Sequence, residues 1–374
     1  MTKRRIEFAL LVVIAVILAA CGGDATETTA AGETTTTEAA TGELTPIRLQ
    51  LQWVTQAQFA GYFAAIEQGF YADAGLDVTI LEGAVDIVPQ QVVASGGAEF
   101  GLAWVPKALV SREEGADIVN IGQVFQRSGT LEVSWADSGI TEPADWEGKR
   151  VGTWGFGNEF ELTAAFELYD VTPAEVIQQP FDMSLLLNNE LDAAQAMTYN
   201  EYAQVLEQEN PETGELYTAD DLAVIDFNDI GTAMLQDAIW ADAAWLADNE
   251  ATAQAFLKAS FEGWIFCRDN PDACVQIVLD RGPALGTSHQ AWQMNEINAL
   301  IWPSPGGIGI MDEALWAQTV EVAVGQSVIS ADPGADAYRT DLADAAIVEL
   351  QAEGLDVAGE NFAKTTITLN PGGE

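Results

Sequence analysis

Apolar residues recur along the chain at two spacings, and the switches between them mark its elements. Loose alternation over residues 47–53 predicts a strand. Phe59, Tyr62, Phe63 and Ile66 at helical spacing predict a helix that Gly69 stops. Residues 76–81 predict a second strand, Val85-Asp86-Ile87 opens a short helix ending at Ser95-Gly96-Gly97, and 100–104 and 118–125 are two more strands. From Gly148 the pattern restarts, with strands over 150–153, 176–178 and 191–197 alternating with helices over 158–169 and 182–188. Residues 222–227 and 233–240 read as strands leading back. The sequence then turns helical over 245–266, 271–279, 288–301 and 312–325, and Phe256, Phe261, Trp264, Trp292, Trp302 and Trp316 on these stripes are expected in a core. Residues 86–103 and 182–196 echo one another: an aspartate, an apolar helix, a polar turn, then Glu99-Phe100-Gly101 or Leu191-Asp192-Ala193. Alternating strands and helices predict an α/β fold. The length of chain predicts two lobes, because one core rarely serves so many residues.

The first residues obey neither spacing. Lys3, Arg4 and Arg5 precede an apolar run over 8–18 that Leu18-Ala19-Ala20-Cys21 closes. The run is short for a membrane span, so residues 1–20 are expected to be a cleaved leader. L-A-A-C resembles a bacterial lipobox, which implies that Cys21 becomes the lipid-modified first residue and anchors the protein to the cell membrane. Residues 21–45 are almost all Thr, Ala, Glu and Gly, a composition that buries no core and serves as a tether.

Charge narrows the partners. With 14 Lys+Arg against 58 Asp+Glu, the formal charge of −44 repels nucleic acid and anionic lipid headgroups. Cys267 and Cys274, the only cysteines after Cys21, flank a turn between two helical patterns; they are either bridged or two free thiols. One histidine, His289, and no Cys or His cluster make a metal site unexpected, and no cofactor is implied.

The stretch T-W-G-F-G-N-E-F over 153–160 reads as a strand end, a turn carrying Gly155 and Gly157, and a helix start. Glycines let backbone approach a bound molecule, the helix start offers free N–H groups, and Trp154 and Phe156 add flat apolar faces. It is either such a pocket or a turn whose aromatics merely pack. A dinucleotide fingerprint would need a third glycine that is missing here.

Several of these stretches together resemble the substrate-binding proteins of ABC importers. They are L-Q-W-V-T-Q-A-Q-F-A-G-Y-F-A-A-I-E-Q-G-F-Y-A-D-A-G-L-D-V-T-I-L, the V-P-Q-Q-V-V-A-S-G helix, W-G-F-G-N-E and A-M-T-Y-N-E-Y, and the resemblance spans roughly residues 47–338. It is strongest to the ThiY-like binders of thiamine precursors, a branch of the family that includes the SsuA sulfonate binders. The resemblance implies a periplasmic-binding-protein type II fold, two α/β lobes closing over a ligand cleft. Residues 46–133 and 241–374 would form lobe one, and 134–240 lobe two. It also implies a monomer working with a membrane permease and its ATPase.

On that pattern the ligand-facing residues are Trp53, Gln56, Gln58, Tyr62, Asp86 and Trp104 in lobe one. Those in lobe two are Trp154, Gly155, Asn158, Glu159, Tyr199, Asn200 and Glu201. Aromatics would stack on a flat ring while amides and carboxylates read its edge. Asp86, Glu159 and Glu201 favour an amino-substituted heterocycle, such as a thiamine pyrimidine precursor, over a sulfonate or other anion. Lys107 is the one cation near the motifs.

An enzyme branch of the same superfamily makes the thiamine pyrimidine from its own histidine and a lysine-bound pyridoxal phosphate. Its G-L-K-A-M-I-H pattern falls on residues 101–107, placing Ala103 where the lysine would be and Lys107 where the histidine would be; its cysteine motif falls on 231–235, which has no cysteine. Hydrolysis is no better supported, because G-x-S-x-G is absent and His289 lies in a helical pattern. The chain is therefore expected to bind rather than to catalyse.

Overall fold

The computed structural model describes residues 43–374. The expected leader, Cys21 and the tether as far as residue 42 lie outside the described residues. The tether's expected end at 45 is already strand.

The first run of elements is β1 (Thr45–Gln50), α1 (Ala60–Glu67), α2 (Phe70–Asp73), β2 (Leu76–Leu81), α3 (Pro89–Ala94), β3 (Phe100–Trp104), α4 (Val105–Glu113) and β4 (Ile118–Gln123). The second is β5 (Thr130–Trp135), β6 (Arg150–Thr153), α5 (Phe160–Leu168), β7 (Glu175–Gln178), α6 (Ser184–Leu187), β8 (Ala194–Met197), α7 (Glu201–Leu206), β9 (Leu222–Asp226) and α8 (Phe227–Ile230). The chain closes with β10 (Asp237–Asp242), α9 (Ala243–Asp248), α10 (Glu250–Asp269), α11 (Pro271–Arg281), α12 (Thr287–Ile301), α13 (Glu313–Gly325) and α14 (Asp341–Ala352).

Two sheets result. The first has the order β2-β1-β3-β10-β4, with β1 parallel to β2 and β3, and β10 antiparallel to both its neighbours. Ala238, Ile239, Trp240 and Ala241 are fully buried, the mark of a strand covered on both faces. The second sheet is antiparallel in the order β8-β5-β9, and the parallel pair β6–β7 joins it through the Val151–Ala193 bridge. The chain crosses between sheets over 124–129 and again over 227–236, so the expected boundaries at 133/134 and 240/241 fall inside β5 and β10.

At the two crossings the segments are knitted by side-chain amides, the buried Gln236 and the exposed Asn228. Gln236 Nε2 donates to Ser128 Oγ (3.1 Å) and Thr130 Oγ1 (2.7 Å), while its Oε1 accepts from the Gly129 N–H (2.8 Å). Asn228 donates to Ser128 O (2.8 Å) and accepts from the Ser128 N–H (3.1 Å).

The echo between 86–103 and 182–196 has a structural counterpart. Glu99 accepts from the backbone N–H of Arg48 (2.7 Å) and from its guanidinium, which also reaches Gly96 O at a left-handed helix end. Asp192 does the same to the N–H (2.8 Å) and guanidinium of Arg150, which reaches Asn189 O, again left-handed. Each clamp ties a strand, β1 or β6, to the turn that leads into the next strand but one, β3 or β8.

Differences from the expected elements have local causes. β5 escaped the reading because Glu132 interrupts its apolar positions, yet that side chain is buried and burial pushes its carboxyl well above the usual range. α14 was also unexpected. The helix expected from Val85 begins at Pro89, because proline without an N–H suits a first helical turn and the preceding residues make a bend. Phe256, Phe261, Trp264 and Trp302 are in the core as expected, whereas Trp292 and Trp316 are half-buried against Tyr202 and Tyr338. Cys267 and Cys274 form a disulfide joining the end of α10 to α11.

α1 meets α10 through glycines. A Cβ on Gly263 would lie 2.1 Å from Gly61 O, and one on Gly61 would lie 2.2 Å from the Trp264 ring. Neither backbone nor indole can move aside cheaply, so Gly263→Ala should destabilise by about 2–3 kcal/mol. Calorimetric melting should show a midpoint several degrees lower; an unchanged midpoint would mean the helices separate freely.

Candidate functional site

Elements of both sheets line one cavity of about 720 Å³, within the range of roughly 300–1,000 Å³ usual for small-molecule sites. The first sheet contributes the segment after β1, the loop between β2 and α3, and the β3–α4 junction. The second contributes the turn between β6 and α5, Phe181, and the β8–α7 junction.

The floor is organised by a residue the sequence did not single out. Asp237, the first residue of β10, is 3% exposed. Its Oδ1 accepts from Gln52 Nε2 (2.5 Å) and Trp104 Nε1 (2.9 Å), and its Oδ2 accepts from Gln58 Nε2 (2.9 Å). Gln58 Oε1 then accepts from Gln56 Nε2 (2.7 Å). A carboxylate can only accept, so the amide groups have one orientation each. The Oε1 atoms of Gln52 and Gln56 are left with no hydrogen bond among the described residues, and both residues line the cavity. Burial raises the Asp237 carboxyl to about 6 against the pull of these donors.

Donors stand on another wall. Lys107, on α4, lies over the Trp104 ring (4.8 Å) and its Nζ donates to Asn158 Oδ1 (2.7 Å), linking elements of the two sheets. Burial lowers its ammonium to about 8, opposed by the charges of Glu159 and Asp237. Aromatic faces complete the lining: Phe181 stacks near-parallel on Trp154 (6.2 Å) and tilts against Trp53 (4.9 Å) across the gap.

Of the expected residues, Trp53, Gln56, Gln58, Trp104, Trp154, Asn158, Tyr199, Asn200 and Glu201 line this one cavity. Tyr62 does not; it is buried in α1 with its ring edge-on to Trp264, because α1 turns that face onto α10. Asp86 is exposed in the bend before α3, where its neighbours Val85 and Ile87 reach the cavity and it does not. Gly155 shapes the turn rather than lining it, with φ +71°. Glu159 points back into the turn and accepts from the Gly157 N–H (2.9 Å). Glu201 lines the cavity, but its oxygens accept from the Met197 N–H (3.0 Å) and Asn200 Nδ2 (2.7 Å), and burial pushes its carboxyl up.

Asp237, Phe181 and Gln52 were missed, Phe156 was noted as an apolar face of its turn but not among the ligand-facing residues, and Lys107 was noted without a role. An acid inside the apolar run Q-D-A-I-W was a readable signal for Asp237. Phe181, in a loop after Pro180, carried none. Among the described residues no cluster of His, Cys, Asp and Glu could hold a metal, and no helix is long and apolar enough to cross a membrane.

Two mixed sheets flanked by helices, crossed twice by the chain over a lined cavity, define a periplasmic-binding-protein fold. The chain belongs to the NMT1/THI5-like family, whose pattern matches residues 56–274. It is 23% identical over 63% of its length, and 70% of the relative's, to a formylaminopyrimidine-binding protein of Halalkalibacterium halodurans. It is 25% identical to the riboflavin-binding protein RibY of Chloroflexus aurantiacus, over 77% of this chain and 83% of that one. The periplasmic sulfonate-binding protein SsuA of Methylobacillus flagellatus superposes with a TM-score of 0.58 at 14% identity, covering 87% of this chain and 99% of that one, a likeness of fold.

The raised Asp237 carboxyl sets a pH signature. The folded state holds this proton more tightly than the unfolded chain does, so forcing it off costs stability as pH rises from about 4 to 6. Asp237→Asn should therefore gain on the wild type over that window, by up to about 3 kcal/mol. Urea titrations at several pH values measure this; a pH-independent difference would place the carboxylate in water.

Proposed function

We propose that the chain is the extracytoplasmic solute-binding component of an ABC importer, capturing a planar heteroaromatic nutrient by closure of two lobes. Lipidated Cys21 and the tether would hold it at the cell membrane, raising its concentration beside a permease and its ATPase. The cavity shared by the two sheets, and the two adjoining crossings between them, support closure as the capture step, with a ligand favouring the closed form.

The observation that carries the ligand class is the Asp237 network. It leaves the carbonyl oxygens of Gln52 and Gln56, two residues of the cavity lining, without a hydrogen bond among the described residues, while Lys107 presents N–H on another wall. A heterocycle bearing ring-bound amines and ring acceptors matches both, and an aminopyrimidine of the thiamine-precursor type is the simplest example. Formylaminopyrimidine binding by one relative and riboflavin binding by another support a nitrogen heterocycle. A sulfonate or other small anion is the second reading, favoured by Lys107 alone.

Chemistry on the ligand is not part of this reading. The site does not fit lysine-bound pyridoxal phosphate in the manner of the synthase branch, since Ala103 offers no amine and residues 231–235 no thiol. Lys107 is already engaged with Asn158 and Trp104.

Calorimetry against aminopyrimidines and alkanesulfonates tests the proposal. Aminopyrimidines should bind, and Asp237→Asn, which frees the amides to flip, should weaken them about ten- to hundredfold. Tight binding of alkanesulfonates with none of pyrimidines would reverse the two readings.

A further inference from the structure

Resting on this binding reading, we infer that Phe156, with Val85 and Val88, forms an outer subsite selecting ligands whose ring system extends beyond a single pyrimidine. Phe156 sits at the centre of a turn in which Gly155, Phe156 and Gly157 have φ of +71°, +56° and +84°. Glycine takes this conformation freely; a bulky side chain does not, and Asn or Gly would serve the turn better. The ring does not repay that strain through packing, since it is 66% exposed. A strained backbone carrying an exposed aromatic on a cavity wall is a feature kept for use, not for folding.

The turn is braced from behind. The Asn158 N–H and Nδ2 both donate to Gly155 O (3.1 and 2.7 Å), the Gly157 N–H donates to Glu159, and Gln178 Nε2 donates to Trp154 O (3.3 Å). Phe156 is thus held at a fixed place on the lining. From the first-sheet side, Val85 (53% exposed) and Val88 (43% exposed) line the same cavity. Gln52, Gln56, Lys107 and Asn158 are polar and equipped to read a heterocycle's edge, whereas this trio is apolar and wet. A single ring held by the polar groups leaves the trio in water. A second or third fused ring covers it and gains the apolar burial, and about 720 Å³ leaves room for one.

Calorimetry on the purified full chain with 4-amino-5-hydroxymethyl-2-methylpyrimidine, lumazine and riboflavin tests this, alongside Phe156→Gly and Phe156→Tyr. At least one fused-ring compound should bind the wild type about tenfold more tightly than the single ring. Phe156→Gly should shrink that margin to within about twofold and melt no lower than wild type, since glycine relieves the turn; Phe156→Tyr should retain the margin. If Phe156→Gly leaves fused-ring affinity unchanged, or the single ring binds as tightly as any fused one, the outer subsite is refuted and the binding reading stands. If no ring compound binds at all, both fall together.

Discussion

A carboxylate taken out of water must find donors for its oxygens, and at Asp237 that requirement dictates the shape of the site. The donors come from the segment after β1, the short turn before α1 and the last residue of β3. Each arrives by a different path through the first sheet, so the buried charge also fixes how those paths converge. Because the group can only accept, Gln52 and Gln58 turn their NH2 groups to it, and the Gln58 oxygen in turn accepts from the NH2 of Gln56. One acidic side chain thereby converts two glutamines into a fixed row of acceptors, at the cost of a carboxyl held near 6.

The second sheet answers this floor with aromatic surfaces, and the two crossings tie the halves together. Gln236 lies immediately before Asp237, so the residue that knits the crossings and the residue that orders the floor are neighbours in sequence. Any rotation of one half against the other must run through this seam. Lys107–Asn158 and Trp53–Phe181 are further contacts between elements of the two sheets.

Much of this was legible in the chain because the signals were local. Trp154 and Tyr199 announced themselves as aromatics where a strand gives way to a turn, and both line the one cavity. The paired acidic turns at Glu99 and Asp192 were visible as an echo, although their arginine partners, many residues away, were not. What stayed hidden depended on neighbours distant in sequence. Glu132 disguised the central strand of the second sheet, since nothing local says that a glutamate will be buried. Tyr62 lay at the right spacing for the cleft, but only the position of α10 decides which face of α1 is covered. Phe181 acquires a role only when Trp53 and Trp154 converge on it.

His289 on α12 is the chain's single histidine. Its Nδ1 faces Glu207 (2.7 Å) and its Nε2 faces Asn200 (2.9 Å), so one imidazole touches both ends of α7. α12 packs on the turn before α1, while α7 follows a strand of the second sheet. In a proton spectrum that ring gives one isolated pair of aromatic resonances needing no assignment. The protein thus carries a native, label-free reporter of the contact between α12 and α7.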